Sequence, residues 1–237
     1  MLYMVATPIG NLDDLSPRAL QAFREASTVA CEDTRRTRVL LERFGIKPYP
    51  RLISYREGIE ARVAGGIADM LARGETVVCC TDSGYPAISD PGYRLIQKVI
   101  EEDLPFTVIP GPSAVPVALL LSGLSAASYV FKGYPPKKPG ARRRFFEMEA
   151  EAPHTLVLFE SPMRTASTLK VALEVLGDRR AAVCLELTKK FERVHRGYLS
   201  DLCRLLEDRK VKGEVTIVMA GNNSKFIKPP IPEASAP

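Results

Sequence analysis

No Gly-x-Gly and no Gly-Lys dipeptide occurs in the 237 residues. The first absence removes the usual dinucleotide fingerprint, and the second removes a phosphate-cradling loop, so a nicotinamide dehydrogenase is disfavoured. No Cys-x-x-Cys occurs either. The five cysteines, Cys31, Cys79, Cys80, Cys184 and Cys203, are odd in number and mostly sit in apolar runs, which marks them as reduced core residues. Only two histidines, His154 and His195, are present, and they stand far apart, so no metal site is expected. The longest apolar run, Val115 to Leu124, is too short to cross a membrane. The N-terminus enters a strand-like segment at Leu2 without a basic flank or a cleavage site, and a cytoplasmic protein with no membrane partner is the expectation.

What is present is a repeated pattern of short apolar runs ending in Gly- and Pro-rich turns. Val5-Ala6-Thr7-Pro8-Ile9-Gly10-Asn11, Cys80-Thr81-Asp82-Ser83-Gly84-Tyr85-Pro86 and Val108-Ile109-Pro110-Gly111-Pro112-Ser113 each follow such a run. Ligands of open α/β sheets sit beyond the carboxyl ends of the strands, so these three turns outline a ligand mouth. Strand-like and helix-like segments alternate through the first half, which predicts parallel crossover units. Ser16-Pro17 opens one of those helices with a capping residue and a proline in the first turn.

Near residues 112–126 the character changes. A second alternating unit follows, with strands predicted at 125–132, 154–159, 181–187 and 214–220, and helices at 142–150, 162–176 and 198–207. The length allows one large domain or two small ones. The fold class expected is α/β, as two α/β domains at 1–115 and 116–224, with a tail at 225–237, Pro-rich after Lys228, expected to be disordered. The second unit repeats polar strand ends at Phe159-Glu160-Ser161-Pro162, Glu186-Leu187-Thr188-Lys189 and Met219-Ala220-Gly221.

Charge is uneven. The net value is only +5, but between Lys132 and Arg144 six residues are basic (Lys132, Lys137, Lys138, Arg142, Arg143, Arg144) and none is acidic. With Tyr134 beside it for base stacking, this segment suits a polyanion such as RNA; a charged helix face with a solvated loop is the competing reading.

Six stretches, in order, carry a resemblance. They are Thr7-Pro8-Ile9-Gly10-Asn11, Glu32-Asp33-Thr34-Arg35, Asp82 to Gly92, Pro110-Gly111-Pro112-Ser113, Phe159-Glu160-Ser161-Pro162 and Glu186-Leu187-Thr188-Lys189. Together they resemble the bacterial small-subunit ribosomal RNA cytidine 2′-O-methyltransferases of the tetrapyrrole methylase superfamily, collinearly over residues 2–222. The resemblance implies S-adenosylmethionine as methyl donor in a cleft between two α/β domains, usually in a homodimer. It implies a cytidine of 16S ribosomal RNA near the decoding centre, or the assembled small ribosomal subunit, as substrate. The donor-contacting positions it implies are Pro8, Ser83, Gly84, Tyr85, Ile88, Ser113 and Ala114, with Phe159, Leu187 and Ala220 from the second domain. Two departures stand out: relatives commonly have Asp-Ala-Gly-Thr-Pro where this chain has Asp82-Ser83-Gly84-Tyr85-Pro86, and many have a His where this chain reads Ser54-Tyr55-Arg56-Glu57.

Methylating a hydroxyl requires in-line alignment and a group to take its proton. Glu32, Asp33, Glu160, Glu186 and Lys189 stand at or beyond strand ends; of these Glu186, Lys189 and Asp33, with Arg35 as a grip on phosphate or carboxylate, are the catalytic candidates. Lys189 needs burial to lower its pKa for that work. The bland readings are an N-cap for Asp33, an ion pair of Glu186 with Lys189 or Arg35, and a structural role for Glu160. Two other functions remain open: methylation of a corrinoid or porphyrin precursor, and a non-catalytic RNA-binding or assembly module.

Overall fold

The computed structural model describes residues 1–207 and 209–229, in two compact units, one of Met1–Ser113 and one from Ala114 onward. In the first, β1 (Leu2–Val5), β2 (Thr28–Cys31), β3 (Arg51–Ser54), β4 (Val77–Cys80) and β5 (Phe106–Ile109) form a sheet in the order β3-β2-β4-β1-β5, and every pairing is parallel. The connecting helices are α1 (Pro17–Glu25), α2 (Thr34–Arg43), α3 (Glu60–Ala72) and α4 (Tyr93–Glu101).

Strand alternation divides these helices between the two faces. Val5, Val29, Cys31, Val78 and Cys80 point to the side covered by Phe23 of α1 and Leu41 of α2. Leu2, Met4, Ala30, Val77 and Cys79 point to the other, against Ile67 and Leu71 of α3 and Leu95 and Val99 of α4. Because both faces are buried there, the central strands β1, β2 and β4 read as largely apolar runs. Ser16 caps α1 by accepting from the Ala19 N–H at 3.2 Å, with Pro17 at its first position, as the sequence predicts.

The second unit contains α5 (Ala114–Ser122), β6 (Tyr129–Phe131), α6 (Pro139–Glu147), β7 (Thr155–Glu160), α7 (Thr165–Leu176), β8 (Arg180–Leu185), β9 (Arg193–Tyr198), α8 (Leu199–Glu207) and β10 (Val215–Met219). Its sheet runs β6-β7-β10-β8-β9. Only β6 and β7 pair in parallel; β10 is antiparallel to both neighbours, and β9 is antiparallel to β8. Alternation alone predicts a second set of parallel crossovers, and the sheet corrects that. β8 turns directly into β9 without a helix, which forces an antiparallel pair. The sequence pattern does not reveal β9, Arg-Val-His-Arg-Gly-Tyr, because this edge strand is half-exposed and carries two arginines and a histidine. Helices α6, α7 and α8 cover one face of the sheet around Phe146, Leu158, Leu169, Val183, Leu202 and Ile217, while α5 packs against β7, β8, β9 and β10.

All five cysteines are free and buried, and burial pushes the Cys79 and Cys184 thiols up to about 12. Residues 225–229, assigned to the disordered tail, are instead docked in part: Ile227 bridges Arg179, and the Lys228 N–H donates to the Asp178 carbonyl at 2.8 Å. The rest of that tail, 230–237, lies outside the described residues. Among the described residues no helix is long and apolar enough to cross a membrane.

Candidate active site

In the first sheet β4, β1 and β5 are neighbours, so parallel pairing brings their carboxyl ends together and with them the three Gly- and Pro-rich turns. The turns are tied to one another by their backbones. Thr7 and Gly84 exchange two hydrogen bonds, N–H to carbonyl in each direction, at 2.9 and 3.0 Å. The buried Thr7 hydroxyl donates to the Thr81 carbonyl at 3.0 Å. Tyr85 completes the set, its hydroxyl accepting the Gly111 N–H at 3.0 Å. The Tyr85 side chain thus carries a hydroxyl from the turn after β4 to the turn after β5.

Two glycines are required by geometry. Gly84 has φ +75°, and a Cβ on Gly111 would lie 3.1 Å from the Ala6 Cβ and 3.2 Å from its carbonyl oxygen. Beyond Tyr85 the loop is held in an uncommon conformation, with positive φ at Ala87 (68°) and Ser89 (64°), and the Gly92 N–H anchors it to Glu60 Oε1 at 2.8 Å. Of the positions expected from the sequence to contact the donor, Pro8 and Gly84 are buried, Ser83, Tyr85 and Ser113 are half-buried, and Ile88 is exposed. Ala114 opens α5 as the first residue of the second unit.

Asp33 is a helix cap. Its Oδ1 accepts from the Arg35 backbone N–H at 2.8 Å and from Arg35 Nε at 3.1 Å, while Oδ2 takes the guanidinium Nη2 at 2.7 Å. The Arg35 side-chain and backbone hydrogen bonds hold this carboxyl well below the usual carboxylate range, which makes Asp33 a poor base. Asp82 joins the same corner, accepting from the Asp33 N–H at 3.2 Å and pairing with Arg36 at 3.1 Å.

In the second unit Glu186 and Lys189 meet as the sequence predicts, Nζ to Oε1 at 3.0 Å. Their two partners, Glu214 and Gly213, were not among the sequence candidates. Glu186 Oε1 also accepts the Glu214 N–H at 2.8 Å, and the Glu214 carboxylate lies 3.0 Å from the Lys189 ammonium. A Cβ on Gly213, at φ +79°, would overlap the Glu186 carboxylate. Glu186 and Thr188 themselves have positive φ, 51° and 63°, so the turn that presents the cluster is held in a sparsely populated conformation.

This arrangement overturns the expectation of a lowered lysine. Burial pulls the Lys189 ammonium down, but the Glu186 and Glu214 carboxylates outweigh it and leave its pKa above the ordinary value. Glu186 is held below its own range, first by the Glu214 N–H and then, against burial, by Lys189. Glu160 has the structural role: its side chain is fully buried, accepting from Ser161 N–H and Thr168 Oγ1 at 2.7 and 2.6 Å and pairing with Arg164 at 2.5 Å.

Strand direction separates the three donor-contacting positions expected from this unit. Phe159 stands opposite Thr216, and Leu187 lies just past Leu185, which is opposite Val215, so both belong to one end of the sheet. Ala220 follows Met219, which is opposite Ala181, and therefore belongs to the other end, about 17 Å away along β10. It is the family resemblance that groups Ala220 with the other two. The antiparallel run of β10 puts Glu214, not Ala220, beside Glu186.

The basic segment is also corrected. Arg142 is buried and ties its own loop to α7, donating to the Pro136 and Lys137 carbonyls and to the Ser167 and Thr168 hydroxyls at 2.9–3.3 Å. Lys132 pairs with Glu149 at 2.7 Å and stands over the Phe145 ring. Arg143 pairs with Glu147 and Glu174. Lys137, Lys138 and Arg144 remain exposed, beside an exposed Tyr134 whose ring tilts on Phe159 at 5.7 Å.

Residues 1–203 match the family model for tetrapyrrole (corrin/porphyrin) methylases. The chain is 40% identical over 94% of its length to a protein of Halalkalibacterium halodurans named ribosomal RNA small subunit methyltransferase I, covering 77% of that protein. It is 44% identical to the Mycobacterium bovis protein of the same name over 93% of this chain and 77% of that one. Among solved structures, the methyltransferase CobJ superposes with a TM-score of 0.71 over 93% of this chain and 94% of that one; at 15% identity the likeness is one of fold.

Proposed function

We propose, from the premise that this chain belongs to the tetrapyrrole (corrin/porphyrin) methylases, that it transfers a methyl group to the ribose 2′-hydroxyl of a cytidine in small-subunit ribosomal RNA. S-adenosylmethionine is the methyl donor. Bound, it supplies an electrophilic methyl on a sulfonium. The residues of the first unit fit such a ligand. It has no phosphate, and the chain has no phosphate loop. What it requires is close backbone approach, which the absence of a Cβ at Gly84, held at φ +75°, permits. Pro8, Ser83, Gly84, Tyr85, Ile88 and Ser113 would hold it, on turns already locked by the Thr7–Gly84 and Tyr85–Gly111 hydrogen bonds.

The observation that carries the RNA reading is the identity, over nearly the whole chain, to relatives named for ribosomal RNA small subunit methylation. Likeness to the methyltransferase CobJ at 15% identity supports the fold and leaves that enzyme's substrate with that enzyme.

The residues of the second unit divide the proton work. Lys189, whose pKa is raised, is an ammonium and serves to orient Glu186. Among the described residues the Lys189 ammonium and the Glu214 N–H both donate to Glu186 Oε1, which leaves Oε2 for the ribose hydroxyl proton. A base held below its range works at the low end of the roughly 10²–10⁴-fold that positioned bases contribute, and alignment supplies most of the rest. Calorimetry with S-adenosylmethionine, followed by transfer of label to small subunits from a strain lacking this protein, tests the reading. Donor binding with no transfer to RNA leaves only a binding module; no donor binding overturns the reading altogether.

A further inference from the structure

Beside the Glu186 cluster lies a groove of about 300 Å³ formed by the end of β8, the start of β9, the last turn of α8 and residues 209–213. Its floor is apolar, from Leu185, Leu206 and Val211. Among the described residues its walls carry the full cations Arg193, Arg209, Lys210 and Lys212 and one carboxylate, Glu186, already engaged by Lys189 and the Glu214 N–H. No salt bridge joins these four cations to a carboxylate among the described residues. At the rim Phe191 is 67% exposed, with Lys190 Nζ 5.8 Å from its ring centroid.

We infer that this groove binds a single-stranded segment of RNA, one base stacked on Phe191 and the neighbouring phosphates held by Arg193, Arg209 and Lys212. The inference rests on the RNA-methyltransferase reading and deepens it by assigning a substrate surface outside the Lys132–Arg144 segment. Three features favour RNA over an acidic protein. An apolar floor under a cationic rim matches the face of a base flanked by phosphates. An exposed phenyl ring accepts any base by stacking. The groove also shares Glu186 with the proton-accepting cluster, so a strand lying in it runs past the group that must meet a ribose hydroxyl. His195 reports the local field: burial, then Arg209 and Arg193, hold its imidazole below the ordinary value.

The test uses the full chain and a fluorescent single-stranded RNA, with anisotropy measured across a salt series. Phe191→Ala is expected to weaken binding about tenfold with the salt slope unchanged. The triple change Arg193→Ala, Arg209→Ala, Lys212→Ala is expected to reduce the slope by about 0.7 for each phosphate no longer neutralised, roughly 2 in all. Both variants should bind S-adenosylmethionine as the parent does, which also shows that they fold. RNA affinity and slope unchanged in both variants, or displacement of the RNA by an equal concentration of a polyglutamate peptide, would overturn the groove assignment. Failure of the methyltransferase reading is separate, since it appears as no transfer by the unaltered protein, whatever the groove binds.

Discussion

The Tyr85 hydroxyl accepts the Gly111 N–H at 3.0 Å, and this one bond joins the turn after β4 to the turn after β5. The two turns flank the one after β1, which is itself bonded to Gly84. Tyr85→Phe keeps the ring and removes the acceptor. The expected loss in stability is about 0.5–1.5 kcal/mol, and S-adenosylmethionine should bind severalfold more weakly. Calorimetry and urea unfolding check both. Gly111→Ala, which crowds Ala6, should weaken the donor further, because the backbone itself has to shift.

Gly213→Ala tests the turn that carries the Glu186, Lys189 and Glu214 cluster, proposed to accept the proton. The new methyl would meet the Glu186 carboxylate at a positive φ, so about 1–3 kcal/mol of stability should be lost and methyl transfer should fall with it. Donor affinity measured below the melting transition is expected to change less than the transfer rate, because the turns of the first unit proposed to hold the donor are untouched.

Arg142 and its neighbours separate packing from RNA contact. Arg142→Ala leaves the Thr168 hydroxyl and two carbonyls short of a donor in a buried place, and should cost about 2–3 kcal/mol of stability while RNA affinity of the folded protein stays constant. Lys137→Ala, Lys138→Ala and Arg144→Ala combined should do the reverse, weakening RNA with the unfolding midpoint unmoved. Anisotropy and urea unfolding on the same preparations distinguish the two.

Acid should loosen the second unit through Glu149. Burial raises this carboxyl, but Lys132 and His154 outweigh it and the folded pKa is lowered. Its contribution is therefore fully present above the unfolded value, about 4.3, and is lost as pH falls through the lower folded value. Glu149→Gln should flatten the dependence of stability on pH in that range, as measured by urea midpoints between pH 3 and pH 6 (roughly the span over which carboxyl groups titrate).

The first unit is legible in the sequence because its central strands are buried on both faces and side-chain caps open α1 and α2, so apolar runs and turn residues mark these elements. Ser16, Asp33 and the three strand-end turns all stand where the sequence places them. The second unit is less so. Whether β10 runs with or against β8 depends on long-range pairing, and its reversal moves Ala220 to the far end and brings Glu214 in. Arg142 reads as surface charge because its partners, Ser167 and Thr168, lie on a helix that a local view of charge does not include. Lys189 reads as a base for the same reason: the second carboxylate that raises it, Glu214, is distant in sequence.

The most direct measurement is the chemical fate of the transferred methyl. Small subunits from a strain lacking this protein are incubated with it and labelled S-adenosylmethionine, and the RNA is hydrolysed in alkali. A methyl on a ribose 2′-oxygen blocks cleavage at the adjacent phosphodiester, so the label should emerge in an alkali-resistant dinucleotide that begins with cytidine. Label released as an ordinary mononucleotide carrying a methylated base, or found on ribosomal protein, would contradict the assignment.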